Sequence, residues 1–101
     1  MWAQLIKMQL KPGKDMARLN EQVQAIEQPD SGLLRTMVMR DQKDSGQFYV
    51  LVVFENEEKA REREQDPRRQ EGVQAVQAMM ADMLAGPPEF VDLTVVEDWS
   101  G

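Results

Sequence analysis

Gln47-Phe48-Tyr49-Val50-Leu51-Val52-Val53-Phe54-Glu55 is the stretch on which the fold turns. Phe48, Val50, Val52 and Phe54 alternate with Tyr49, Leu51 and Val53, so both faces of the segment are apolar. β-Branched and aromatic residues dominate it, as a pleated and buried strand requires. Immediately downstream, Asn56 is placed to cap a helix whose first turn carries Glu57 and Glu58. Glu55–Lys59 and Glu57–Arg61 are i,i+4 pairs in the favourable orientation. Ala60 is the only apolar residue in this part, so the Glu55–Glu71 charge run reads as a solvated face whose signs largely cancel.

Upstream, Asp41-Gln42-Lys43-Asp44-Ser45-Gly46 is a polar loop joining the strand to an earlier one, Leu33 to Arg40. The faces of that earlier strand are Leu33/Arg35/Met37/Met39 and Leu34/Thr36/Val38/Arg40. Before it, Met16, Leu19, Val23 and Ile26 have 3, 4, 3 spacing. They predict a helix from about Lys14 to Glu27, stopped by Pro29 and Gly32. Trp2 to Leu10 is the first strand, with Gln4 the polar interruption of its Trp2/Ile6/Met8/Leu10 face. Lys11-Pro12-Gly13 supplies its turn. Towards the C-terminus, Asp66-Pro67 opens a second long helix running to about Ala85, with Val73, Val76, Met80 and Met83 on one stripe. Phe90 to Val96 is the last strand, interrupted by Asp92.

The order β-α-β-β-α-β, with one short extra helix, is the ferredoxin-like α+β pattern: a four-stranded antiparallel sheet with helices on one face. The 101 residues suit one domain, 1–101. Cysteine and histidine are both absent. That excludes disulfides, thiolate and imidazole metal sites, cysteine nucleophiles and Ser-His-Asp triads. No metal and no cofactor is expected. Eighteen acidic residues against twelve basic give a net charge of -6, which argues against nucleic-acid binding. No apolar run approaches the roughly 20 residues of a membrane helix. The first residues have no basic region followed by a long apolar one, so a cytoplasmic location is expected.

Two helices cover one face of a four-stranded sheet, yet these strands carry large apolar residues on both. Leaving such side chains wet forfeits roughly 1.5–3 kcal/mol each. A homodimer joined sheet to sheet, a dimeric α/β-barrel, is the expected solution, and a monomer with a locally buried third strand is the alternative. Periodicity does not say which sheet face meets the helices, since both are apolar.

Several local strings carry a resemblance. They are Leu10-Lys11-Pro12-Gly13-Lys14, Gly32-Leu33, and Phe48 through Glu55 into Asn56-Glu57-Glu58-Lys59-Ala60. With the element order, they make the chain resemble the antibiotic biosynthesis monooxygenase (ABM) domains of the dimeric α/β-barrel superfamily. The resemblance implies a pocket between helices and sheet in each subunit. It also implies cofactor-independent oxidation of a quinol- or anthrone-like aromatic as the candidate activity. The alternative is a non-catalytic small-ligand-binding or regulatory dimer of the same fold. The tryptophan that the family often has near the end of its third strand is matched in position by Phe54, and its helical histidine falls near Arg63 or Glu64. The haem-degrading branch of the family uses a histidine ligand, which this chain lacks.

Four residues are the candidates for lining a pocket. Asn20 borders the stripe of the first helix and could fix a ligand as an uncharged polar group, or simply face water. Arg35 could hold an anion or pair with a carboxylate at the sheet edge. Tyr49, the only tyrosine, could donate to a substrate oxygen or keep a wet hydroxyl on an apolar body. Phe54 follows from the resemblance. Trp2 and Trp99 are expected to pack in the core or at the interface, the alternative being that they wall a pocket. Met16, Met37, Met39, Met79, Met80 and Met83 suggest an adaptable interior or ordinary gap-filling.

Overall fold

A computed structural model describes residues 1–101. Its elements are β1 (Trp2–Gln9), α1 (Met16–Ala25), β2 (Leu33–Arg40), β3 (Gln47–Phe54), α2 (Glu57–Gln65), a 3-10 turn (Pro67–Arg69), α3 (Gln70–Met83) and β4 (Glu89–Thr94). The strands form one antiparallel sheet in the order β2-β3-β1-β4. The fold is the ferredoxin-like α+β arrangement expected from the element order.

The caps follow from the residues. Asp15 is the N-cap of α1, its carboxylate accepting from the Ala17 amide at 2.9 Å. Asn56 caps α2 through the Lys59 amide at 2.8 Å. Asp66 accepts from the Arg68 amide at 2.9 Å, and Pro67 stands where a helix needs no donor. The expected single helix from Asp66 is divided, with the 3-10 turn preceding α3. Gly72 on α3 is required by packing: a Cβ there would lie 2.0 Å from Ile26 Cγ2, so its absence lets α1 and α3 close together.

The helices cover the sheet face that carries Ile6, Met8, Phe48, Val50 and Val52. Met8, Leu10, Met16, Leu19, Val50, Met83 and Leu84 are buried together there, with Val23, Val76, Met79 and Met80 packed against them. A smaller cluster of Trp2, Phe54 and Ala60 lies under α2. The two polar interruptions read in the sequence answer each other. Gln4 and Asp92 are cross-strand partners, and the Gln4 amide donates to Asp92 at 3.0 Å.

Some expectations need correcting. A bulge between Leu33 and Arg35 pairs Leu33 with Phe54 and Arg35 with Val53. Leu33 therefore joins the helix-covered face and separates from Arg35, Met37 and Met39, because one extra residue inverts the alternation. β4 ends at Thr94, short of Val96. Val96 and Trp99 lie beyond it, 88% and 80% exposed, so Trp99 is not part of the core of the single chain. Leu10 falls just outside β1 and forms an isolated bridge with Leu84.

Candidate functional site

α1 and α3 pack closely against each other, but between their inner faces and the sheet a space is left that reaches α2 at one end. A cavity of about 330 Å³ remains there. From β1 it is walled by Trp2, Gln4, Ile6 and Met8, and from β3 by Val50, Val52 and Phe54. Met16, Leu19, Asn20, Val23 and Gln24 of α1 form the opposite wall, with Val76 and Met80 of α3. The size and mainly apolar lining suit a small flat organic molecule. A wider groove of about 770 Å³ runs beside the Lys11–Asp15 and Asp44–Gly46 loops. It is open and polar, and lacks the enclosure that desolvates a ligand.

One end of the apolar cavity is charged. Ala60, Arg63 and Glu64 of α2, Glu27 just after α1, and Arg69 of the 3-10 turn all line it. Arg63 grips Glu27 along one edge of its guanidinium. Nε donates at 3.1 and 3.0 Å to the two carboxylate oxygens, and Nη2 at 2.5 Å to one of them. The side chains are 16% and 22% exposed, so the pair is largely withdrawn from water. The same guanidinium lies 5.3 Å from the Phe54 ring centroid. Phe54 in turn meets Trp2 at 6.1 Å, tilted by 50°, and Arg61 sits 5.2 Å over the Trp2 ring. Burial alone would raise the Glu27 carboxyl. The hydrogen bonds from Arg63 and Ser31 and the nearby guanidinium charges outweigh it, so the group titrates below its usual range.

Arg69 is 7% exposed. Its Nη1 donates to the Arg63 carbonyl at 3.0 Å, while its Nε is sealed from water and has no acceptor. Burial, reinforced by the positive charge of Arg63, pushes its guanidinium below its ordinary value. Glu64 accepts from Arg61 at 3.2 Å. Both carboxylates of the cavity lining are thus already held by arginines. The structure contains no grouping of three acidic side chains placed to hold a metal ion.

Of the four sequence candidates, Asn20 and Phe54 come together on the cavity wall. Arg35 and Tyr49 do not line it. Their register partners Val53 and Lys7 place them on the sheet face turned away from the helices, where Tyr49 donates to Asp41 at 3.4 Å. The residues missed were Arg63, Glu64 and Arg69, all inside the charge run read as solvated, and Glu27 at the end of the first helix. Buried Ala60 shows which side of α2 turns inward. Residues 63 and 64 follow it at i+3 and i+4, so one helical face carries all three.

Comparison with known proteins bears on both fold and family. A family model described as antibiotic biosynthesis monooxygenase matches residues 1–75. No curated protein matches the chain. Among solved structures, Rv0793 from Mycobacterium tuberculosis is similar at a TM-score of 0.74 and 13% identity, covering 98% of each chain. A Chloroflexus aurantiacus protein named for the same family has a TM-score of 0.72 and 23% identity, over 99% of this chain and 98% of that one. An alanine variant of SnoaB, a cofactor-independent oxygenase from Streptomyces nogalater, has a TM-score of 0.72 and 12% identity, over 96% of this chain and 94% of its own. At these identities the likenesses establish the shared fold.

Proposed function

The chain belongs to the antibiotic biosynthesis monooxygenase family, and on that footing we propose that it is a cofactor-independent monooxygenase acting on a quinol- or anthrone-like aromatic held between helices and sheet. The observation that carries this reading is the mainly apolar cavity of about 330 Å³ between the helices and the sheet. In such chemistry the deprotonated substrate itself supplies electrons to oxygen. For an anthrone-type methylene, one oxygen atom enters the product as a ketone and the other leaves as water with both hydrogens. The contribution of the protein is orientation, exclusion of bulk water and stabilisation of the substrate anion. Asn20 and Phe54 serve this reading as wall residues; Arg35 and Tyr49 would act only indirectly, from the far face.

Oxygen uptake measured over a panel of reduced quinols and anthrones tests the activity. The expected result is consumption of one oxygen molecule per substrate, faster than autoxidation and lost on filling the cavity with Val52→Trp. Substrate binding without uptake would contradict it. One observation favours the second reading, a ligand-binding module without catalysis: Glu27 and Glu64 are both engaged by arginines, leaving no free carboxylate base in the cavity.

The proposed assembly is a homodimer through the bare sheet face, where Leu5, Leu51, Val53, Met37, Val91 and Leu93 are apolar and no helix packs. Leu93 is 38% exposed and Met39 36% in the single chain. A partner copy would withdraw these side chains from water. The proposed location is the cytoplasm; no helix is long and apolar enough to cross a membrane.

A further inference from the structure

The cavity lining holds two arginines, Arg63 and the buried Arg69, and two carboxylates, neither of which bonds Arg69. Arg63 shows what the Nε–Nη2 edge of a guanidinium does when an acid is present: both nitrogens hold Glu27. Arg69 has the same edge free. Its single side-chain hydrogen bond leaves from Nη1, no carboxylate lies within salt-bridge distance, and its Nε is buried without an acceptor. An unsatisfied buried donor carrying a positive charge is costly, and folded proteins rarely leave one without a reason.

The neighbouring acids are taken. Asp66, three residues earlier, is held by Arg68 at 2.6 Å, and Glu64 by Arg61. No acceptor of the chain engages Arg69 Nε, and the residue lines the apolar cavity, through which a ligand's acceptor would approach it.

We propose that Arg69 is an anion-binding residue, whose free Nε–Nη2 edge receives the carboxylate of a flat aromatic acid lying in the cavity. The planar fork of a guanidinium matches a carboxylate through two parallel hydrogen bonds, which a single phenol oxygen cannot reproduce. Turning the guanidinium about its last torsions exchanges an unsatisfied donor for a charge-assisted pair. The remainder of the ligand packs against Phe54, Val52 and Leu19. The inference rests on the reading of this cavity as a ligand site, and specifies the ligand class.

Isothermal titration calorimetry of the intact protein with 2-naphthoate and its neutral analogue 2-naphthamide tests it. The wild type should bind the acid at least tenfold more tightly than the amide, and Arg69→Met should erase that preference while retaining affinity for the amide. Equal affinity of the wild type for both compounds would overturn the anion site and leave the apolar site standing. A preference that survives Arg69→Met would overturn the role of Arg69. Failure of the wild type to bind either compound would overturn the ligand-site reading as well. The comparison within the wild type holds even where the variant folds poorly, and circular dichroism of Arg69→Met establishes its fold.

Discussion

The region under α1 and α3 and the region under α2 solve the same packing problem differently. Under α1 and α3, methionine, leucine and valine side chains form the main core around Leu19, which is 2% exposed, and also make the apolar wall of the cavity, while Gly72 lets the two helices approach closely. Beneath α2 the buried cluster shrinks to Trp2, Phe54 and Ala60, ringed by Arg61, Arg63, Arg69 and Glu27. The first region gains stability from apolar burial. The second places charge at one end of the cavity that the first walls, an arrangement that adds less to stability and suits a ligand.

Substitutions should separate the two regions. Leu19→Ala, in the apolar half, should cost about 2–5 kcal/mol in urea denaturation, because it removes a buried side chain and enlarges the cavity that this side chain lines. A loss below about 1 kcal/mol would mean that this half is loosely packed too. Gly72→Ala should cost about 1–3 kcal/mol by the same measurement, since the new methyl meets Ile26 Cγ2. Across the divide, Arg63→Met should cost about 1–3 kcal/mol at neutral pH by leaving Glu27 buried without its partner.

That pair also carries a pH signature. The folded-state pKa of Glu27 lies below its ordinary value of 4.5, so its contribution is complete above that value and lost as the pH falls through the lower folded one. Acid titration of stability should accordingly be shallower below pH 4.5 in Glu27→Gln than in the wild type. Coincident profiles would show that the pair adds nothing. The smallest change should come from Arg69→Met, within about 1 kcal/mol of the wild type or more stable, because a buried unpaired charge is removed. A large loss would make Arg69 a structural residue.

The halves also differed in how plainly the sequence declared them. The 3, 4, 3 spacing of Met16, Leu19, Val23 and Ile26, and the alternation from Phe48 to Phe54, are periodic signals that specify element and face together. The α2 region has no such period. Ala60 alone marks its inner side, and a helix built of alternating charges reads as solvated until the sheet beneath it is known. Leu33 was assigned to the wrong face for a related reason: one bulged residue reverses every later parity, and nothing in Leu33-Leu34-Arg35 announces the bulge. Arg35 and Tyr49 were singled out by residue type, but their side of the sheet depended on which apolar face the helices chose. Asn20 lies beside the legible stripe of α1, which leaves it either facing a pocket or facing water, and only the structure puts it on the cavity wall.

Crystals grown with saturating 2-naphthoate examine the cavity most directly. Difference density for the ring between Phe54 and Leu19, with its carboxylate on the Nε–Nη2 edge of Arg69, is the result expected here. A cavity that stays empty at saturation, with Arg69 turned to an acceptor of its own chain, would show that the space between helices and sheet is a packing defect and no ligand site.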